Sequence, residues 1–381
     1  MNQHANAPRV SGRCEHPFTA VADAFAKAAR NDPLAGTAVA VCHRGQVAVD
    51  LWSGFADVET RKPWDENTLV CMMSVAKGVS ALCLHLLSDR GLVDPDQPVH
   101  RYWPEFASHG KDAILVRHVL DHSAGIPFVD VAAVGVAALE QETMERALER
   151  AVPIAVPGQM RGYHPVTMGY LAGAIVRSVT GISLGEFFRR EVASVHSLDY
   201  WIGLPKEMHE RCATIGGDVA GTIFGAARRE PDTLLGRAMR QVTSDLFNLS
   251  EFRSAQVPAI NGHGNAAAIA KMYGLLAYSG ATHILSADAI KRATTLQWSC
   301  VEKTMGHSRN MAMGFILAAD NVPMGPNPGS FGHPGAGGSI GFADPQRELG
   351  VCFTTNTLYA GHGVNPHMVD VCNAVFCAFE G

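Results

Sequence analysis

The stretch Ser74-Val75-Ala76-Lys77 begins a segment of helical periodicity that extends to Leu87. Its apolar residues recur at the spacing of a buried helix face: Val75, Val79, Leu82 and Leu86. A helix places residues i and i+3 side by side, so Lys77 should lie beside the Ser74 hydroxyl. At a helix N-terminus the free N–H groups and the dipole also favour an anion. The stretch therefore predicts a serine whose hydroxyl and backbone N–H can both take part in chemistry.

A serine hydroxyl is a weak nucleophile until a neighbouring group takes its proton. A lysine has an ordinary pKa near 10.4, but burial lowers that pKa, and the apolar sequence around Lys77 favours burial. A third group is needed to pass the proton to a leaving group. Tyr163 is the candidate, because it lies in the turn-rich stretch 157–165, directly before a predicted helix at Val166.

The stretch Gly332-His333-Pro334-Gly335-Ala336-Gly337-Gly338 is the third candidate element. Glycines at the start of a strand allow another backbone or a ligand to approach closely. An oxyanion hole needs such an approach, because it uses backbone N–H groups. The alternative interpretation is a flexible loop between residues 323 and 341.

Strand patterns occur near both ends of the chain. A hairpin is predicted at Thr37–His43 and 46–52, and further strands at 313–318, 338–343 and 349–355, whereas the sequence between them is mainly helical. Neither end has enough strands for an independent sheet, so the two ends should pair. We predict an α/β (α+β) domain from residues 1–70 and 290–381, with an antiparallel sheet flanked by helices. A mainly helical domain would span 71–289, with the active site between the two.

Ser74-x-x-Lys77, Tyr163 and His333-Pro334-Gly335, in this order, resemble the three motifs of the serine β-lactamase and penicillin-binding-protein superfamily. The likeness is greatest to class C β-lactamases and family VIII carboxylesterases, and it covers about residues 15–375. It implies a β-lactamase/transpeptidase-like fold, in which an α/β domain is interrupted by a helical insert.

The resemblance also implies roles for individual residues. Ser74 would attack the substrate and form an acyl-enzyme, and Lys77 and Tyr163 together would act as general base and then general acid. The backbone N–H groups of Ser74 and Ala336 would form the oxyanion hole. Substrate contacts would come from the following residues: His333, Gly335 and His164.

Two departures from the β-lactamase motifs favour an esterase. The usual Tyr-x-Asn is Tyr163-His164-Pro165, and the usual Lys-Thr-Gly is His333-Pro334-Gly335. A histidine is mostly neutral at pH 7, so it attracts an anionic β-lactam less than lysine does. The alternatives are a β-lactamase, a D-amino-acid peptidase or amidase, or a non-catalytic scaffold of the same fold.

Other motifs are weaker. A second Ser-x-x-Lys, Ser108 to Lys111, is polar and contains a glycine, so Ser108 is predicted to be a loop serine. Gly-x-Ser-x-Gly occurs around Ser183 and Ser339, but neither copy follows a strand and precedes a helix, as a nucleophile elbow requires. Ser183 is instead predicted to start a helix.

Composition excludes several classes of protein. The chain has 381 residues, 47% of them hydrophobic, with 31 Lys and Arg against 36 Asp and Glu. This balance disfavours a nucleic-acid partner, and no apolar stretch has the roughly 18 residues of a membrane span. Nine cysteines without CxxC spacing and a polar N-terminus predict a cytoplasmic protein. We expect a small-molecule ester substrate; the sequence does not indicate an oligomeric state.

No cofactor or metal is predicted. His118 and His122 have i, i+4 spacing, but the sequence lacks the glutamate of HExxH and an evident third ligand. The mechanism that the motifs imply is therefore one that uses side chains and backbone N–H groups alone.

Overall fold

The computed structural model describes residues 9–280, 284–360 and 365–380. Within these residues the strands are β1 (Ser11–Cys14), β2 (Thr37–His43), β3 (Gln46–Ser53), β4 (Phe55–Asp57), β5 (Lys62–Pro63), β6 (Val70–Cys71), β7 (Tyr200–Ile202), β8 (Gly216–Gly217), β9 (Gly262–Gly264), β10 (Trp298–Val301), β11 (Ser308–Met311), β12 (Ile316–Leu317), β13 (Phe331–Pro334), β14 (Ile340–Asp344), β15 (Leu349–Thr355) and β16 (Thr357–Leu358). The α-helices are α1 (Thr19–Asn31), α2 (Ala76–Asp89), α3 (Val116–Leu120), α4 (Gln141–Arg150), α5 (Thr167–Thr180), α6 (Leu184–Phe188), α7 (Ile223–Arg229), α8 (Leu234–Ala238), α9 (Ser250–Ser254), α10 (Ala266–Ala277), α11 (Ala287–Thr294) and α12 (Pro366–Ala374).

The central sheet is antiparallel and has the strand order β1-β3-β2-β15-β14-β13-β12-β11-β10. Its middle pair joins the two ends of the chain, because β15 pairs with β2 in the register Val351↔Val41. The prediction that strands from the two ends share one sheet is therefore confirmed. The domain boundaries at 70/71 and 289/290 stay a prediction.

Helices cover both faces of this sheet. Because successive strand residues point to opposite faces, Val41 joins a core with Phe25 of α1 and Val371 of α12, whereas Ala40 joins the core that contains Ile269 of α10. The continuous apolar sequence of β2 thus reflects burial on two sides.

The predicted and observed strands differ most among the sheet strands from the C-terminal part of the chain, β10 to β15. The strand at 349–355 is confirmed, but the predicted strand at 313–318 is only β12, and β10, β11 and β13 were not predicted. β11 is polar and half-exposed, and β13 contains glycine and proline, so neither has the alternating apolar pattern of a strand. The glycine-rich stretch 332–338 is thus a strand that runs into a turn, not simply a loop.

No single helix in the described ranges is long and apolar enough to cross a membrane; a bent pair, Thr167–Thr180 with Leu184–Ala193, reaches that length and composition together.

Candidate active site

Ser74 lies in a 3-10 turn, Met73–Val75, that continues directly into α2. The preceding residue, Met73, is buried and has φ of 49°, in the left-handed region that side chains other than glycine rarely adopt. Such a conformation is sustained only by the surrounding structure and is common at functional sites. Ser74 itself is 7% exposed.

Lys77 is fully buried one turn further along, as its spacing predicts. Its Nζ atom lies 3.1 Å from Ser74 Oγ, 2.7 Å from the Pro165 carbonyl oxygen and 3.0 Å from the Ala259 carbonyl oxygen. Burial lowers the pKa of Lys77 well below its ordinary value, which favours the neutral amine. A neutral amine has two N–H donors, which the two carbonyls can accept, so its lone pair is left for the Ser74 hydroxyl.

Tyr163 completes a cluster with these two residues. Its side chain is hydrogen-bonded to Ser74, and Lys77 Nζ lies 4.9 Å from the centre of its ring. Burial raises the pKa of the Tyr163 phenol above its ordinary value, although Ser74 and Arg309 oppose this shift. The three residues that the motifs singled out are therefore in mutual contact, and burial lowers the pKa of Lys77 and raises the pKa of Tyr163.

Glu302 holds Tyr163 in place and was not predicted from the sequence. It is buried, and its carboxylate accepts hydrogen bonds from the backbone N–H groups of Tyr163 (2.8 Å), Thr304 (2.8 Å) and Met305 (2.7 Å). Its place directly before Lys303-Thr304-Met305-Gly306, an imperfect copy of Lys-Thr-Gly, was the one signal for it.

The His-Pro-Gly motif lies at the end of β13, beside the turn that carries Ser74. A Cβ atom on Gly335 would lie 2.3 Å from the Met72 carbonyl oxygen, so only glycine allows this approach. The next N–H group, that of Ala336, donates to no backbone carbonyl in the described residues. Ala336 and Ser74 line one cavity, which is the arrangement that an oxyanion hole requires.

His333 also lines this cavity and is 1% exposed. Burial, with Lys77 and Arg309 nearby, lowers the pKa of His333 to about 3, so the ring is neutral at every ordinary pH. Its Nδ1 atom lies 2.7 Å from the Pro334 carbonyl oxygen, and its Nε2 atom has no hydrogen-bond partner in the described residues.

His164 does not face the cavity, which corrects the prediction that it binds substrate. Its Nε2 atom accepts a hydrogen bond from the Ile126 N–H (3.0 Å), and its Nδ1 atom lies 2.6 Å from the Gly162 carbonyl oxygen. Both nitrogens of this buried ring are thus used by backbone groups. Through its hydrogen bond with Ile126, His164 connects the segment that contains Tyr163 with the loop after α3.

His122 faces the cavity instead, although the sequence interpretation considered it only as an unlikely zinc ligand. It is buried, has φ of 61°, and its ring centre lies 4.8 Å from that of Tyr163. Its signal in the sequence was weak, because the residues that surround it lie about 40 positions further along the chain.

The cavity around Ser74 is narrow and mostly apolar. Its volume is about 40 Å³, and a cavity needs roughly 10–15 Å³ to hold one water molecule. One cation, Arg309, reaches its edge. The remaining apolar side chains of the wall are Ile223, Trp298, Met305, Met311 and Ile316.

The competing motifs have structural roles. Lys111 Nζ bonds three carbonyl oxygens, those of Ser108 (2.7 Å), Glu149 (2.8 Å) and Ala151 (2.7 Å), and does not contact the Ser108 hydroxyl. Ser183 accepts a hydrogen bond from the Glu186 N–H (3.2 Å) and caps α6, as predicted. Ser339 Oγ lies 3.0 Å from Thr354 Oγ1 inside the sheet.

No group of three or more His, Cys, Asp or Glu side chains that could hold a metal ion occurs in the described ranges.

Comparison with known proteins identifies the class. The profile of the family described as Beta-lactamase matches residues 21–369, and the chain belongs to this family of serine hydrolases. The fold that the sequence predicts, a mixed helical and antiparallel β-lactamase-like architecture, is confirmed.

Individual relatives are named as esterases and as penicillin-binding proteins. The chain is 32% identical to the esterase/β-lactamase LipL of Mycobacterium tuberculosis over 91% of this chain and 82% of that protein. A crystal structure of a family VIII carboxylesterase has a TM-score of 0.88 at 34% identity and covers 97% of this chain and 100% of its own. A penicillin-binding-protein homologue from Caulobacter crescentus has a TM-score of 0.86 at 30% identity, with 97% and 100% covered.

Proposed function

We propose that this protein is a carboxylesterase that hydrolyses small esters through an acyl-enzyme on Ser74. The observation that carries the proposal is the set of hydrogen bonds made by Lys77. Its side-chain nitrogen bonds the carbonyl oxygens of Pro165 and Ala259, and its third hydrogen bond is to Ser74 Oγ. A buried neutral amine in this position is a base for the serine proton.

Acylation then follows from the contacts. Ser74 Oγ bonds to the ester carbon while its proton passes to Lys77, and the oxyanion is held by the N–H groups of Ser74 and Ala336. When the C–O bond to the alcohol breaks, the alcohol oxygen needs a proton. Tyr163, a phenol with a raised pKa beside Ser74, donates it and regains a proton from Lys77.

Deacylation uses the same groups in reverse. Water gives a proton to the Lys77–Tyr163 pair and attacks the acyl carbon, the bond to Ser74 Oγ breaks, and Ser74 regains its proton while the acid leaves. Because the two groups are coupled, the pair rather than either residue titrates.

Three features support an ester substrate over a β-lactam. His333 is neutral where the β-lactamase motif has a lysine, and burial keeps it so. Pro165 replaces the asparagine of Tyr-x-Asn, and its carbonyl is used by Lys77. The narrow cavity suits an acyl chain of a few atoms. The relatives named as esterases agree with this proposal.

One observation favours the second candidate, activity on anionic substrates such as β-lactams. Arg309 lines the cavity close enough to Tyr163 and His333 to influence both pKa values. A guanidinium in this position could attract a carboxylate in place of the missing lysine.

The test compares p-nitrophenyl esters of two to eight acyl carbons with nitrocefin. We expect rapid turnover of the shortest esters and slow or no turnover of nitrocefin, with both abolished in Ser74→Ala. Ser183→Ala is the matched control, because it removes a helix cap outside the cavity. Full activity in Ser74→Ala would overturn the mechanism, and efficient nitrocefin turnover would favour the second candidate.

We further propose, from nine cysteines without CxxC spacing, that the protein works in the cytoplasm.

A further inference from the structure

Two histidines that line the substrate cavity each have a buried ring nitrogen without a hydrogen-bond partner. Nε2 of His122 and Nε2 of His333 are inaccessible to solvent and make no hydrogen bond to a described residue, and both rings line the cavity that contains Ser74. Buried polar atoms in native proteins are nearly always hydrogen-bonded. Two unpaired nitrogens on residues that line one cavity therefore point to a ligand that forms hydrogen bonds with them.

The hydrogen bonds at the other nitrogens fix which atoms carry protons. Nδ1 of His122 accepts a hydrogen bond from the His164 N–H (3.1 Å), so in the neutral ring the proton is on Nε2. Nδ1 of His333 lies 2.7 Å from a carbonyl oxygen, which can only accept, so here Nδ1 carries the proton and Nε2 is an acceptor. Burial lowers both pKa values, and both rings are neutral.

The two histidines that line the cavity together with Ser74 thus carry one unpaired donor and one unpaired acceptor. Both rings lie close to the Tyr163 ring, with ring-centre distances of 4.8 Å for His122 and 6.0 Å for His333. A hydroxyl group is the smallest substituent that both accepts and donates a hydrogen bond. An alkyl chain would leave both nitrogens unpaired, and sites built to bind a hydroxyl discriminate against such analogues.

We propose that His122 is a specificity-determining residue, and that together with His333 it selects esters whose acyl part carries a hydroxyl group near the ester carbon. This inference rests on the proposed esterase function. His122 has a second, positioning role, because its carbonyl oxygen and its Nδ1 atom accept hydrogen bonds from Gly162 and His164, the neighbours of Tyr163 on either side.

The experiment compares two esters, ethyl 3-hydroxybutyrate and ethyl 3-methylbutyrate, which differ only in that a hydroxyl group in the first is a methyl group in the second. Each enantiomer of the hydroxy ester is measured separately. Acid release is followed by pH-stat titration, and the ratio of kcat/KM for the pair is divided by the same ratio for hydrolysis by hydroxide. We expect the wild-type enzyme to prefer one hydroxy ester by about three- to tenfold, the range of one or two neutral hydrogen bonds.

Two variants separate the roles of His122. Asn at this position keeps an acceptor near Nδ1 and tolerates a positive φ, but lacks a donor at the Nε2 position, so His122→Asn should lose the hydroxyl preference. His122→Gln keeps a donor near Nε2 and loses the acceptor for His164, so kcat should fall for both esters while the preference remains. A purely structural role would change rates without changing the ratio.

The outcomes are distinct from those that test the esterase function. If the wild-type enzyme hydrolyses p-nitrophenyl acetate but does not prefer the hydroxy ester, the role of His122 in specificity is overturned and the esterase function is not. A preference that survives in His122→Asn has the same meaning. Loss of the preference in both His122→Asn and His333→Asn supports it. A wild-type enzyme that hydrolyses no ester overturns both proposals.

Discussion

Ser74 Oγ, in the 3-10 turn before α2, lies 3.1 Å from Lys77 Nζ, in the first turn of α2, and the lysine nitrogen also contacts two backbone carbonyls. The second Ser-x-x-Lys of the chain lacks this relationship, because Lys111 directs all three of its contacts to carbonyl oxygens. The two Ser-x-x-Lys motifs therefore allow a comparison within one protein. Lys77 is placed to act as a base, whereas Lys111 stabilises the structure by bonding carbonyl oxygens.

We expect Lys77→Ala and Tyr163→Phe each to lower kcat on a short p-nitrophenyl ester by about 10²–10⁴, the usual contribution of a positioned proton-transfer group. The double variant should lose little more than the worse single variant, because the groups act as a unit. Lys111→Ala is the control: its kcat should be retained while its melting temperature falls. Additive losses would separate Lys77 from Tyr163.

The pH dependence should report the titration of the Lys77–Tyr163 pair, in which burial lowers the pKa of the lysine. Because burial lowers the pKa of Lys77 and the neutral amine is the active form, kcat/KM should rise with pH through the lowered pKa and level off well below pH 10.5. The rise is measured from the pH profile of kcat/KM on a neutral ester. A rise that lies at the ordinary lysine pKa would contradict the neutral-base mechanism.

His333 should leave no trace in the same profile. Its pKa is lowered to about 3, so it stays neutral between pH 6 and 8, and the ratio of rates for a carboxylate-bearing and a neutral ester should be flat over that range. A ratio that rises as the pH falls would show that His333 takes up a proton in the working enzyme.

Arg309 should govern any activity on anionic substrates. Arg309→Gln removes the cation at the cavity edge, and kcat/KM for a carboxylate-bearing ester should fall a few-fold relative to a neutral ester of matched size, since a partly exposed charge pair contributes about 0.2–1 kcal/mol. Lys303→Gln, which removes an exposed cation from the loop before the strand of Arg309, is the matched control. Equal effects in both variants would mean a general charge effect rather than a contact.

Gly335 should be intolerant of a side chain. In Gly335→Ala the new Cβ atom would lie 2.3 Å from the Met72 carbonyl oxygen, so β13 or the Ser74 turn must move. Displacing one oxyanion-hole donor costs about 10²–10³ in kcat. Gly216→Ala, whose Cβ would meet no atom within 4 Å, is the control. Comparable kcat in the two variants would place the oxyanion hole elsewhere.

The proximity of Ser74 and Lys77 could be predicted because the two residues are one helical turn apart. Tyr163 lies far from both in the sequence, and its turn-rich stretch alone did not mark it; the resemblance of the three motifs, in their order along the chain, did. The central strands were also predictable: β2 and β15 are continuously apolar because helices cover both faces of the sheet.

The rest depends on contacts that the sequence does not show. His122 and Glu302 reach Tyr163 from 41 and 139 positions away, and the backbone N–H of His164 decides which nitrogen of His122 stays unpaired. The resemblance implied a substrate contact for His164, yet hydrogen bonds with the Ile126 N–H and the Gly162 carbonyl oxygen use both nitrogens of its ring.

The pairing of β2 with β15 has a consequence for synthesis on the ribosome. About 300 residues separate the partners, and at the usual 5–20 residues per second the nascent hairpin β2–β3 waits roughly 15–60 s for its neighbour. During that time the inner edge of β2 presents unpaired N–H and C=O groups in a strand of alanine, valine and cysteine. Open apolar edges of this kind invite pairing between chains, so chaperone supply and growth temperature should control the yield of folded protein.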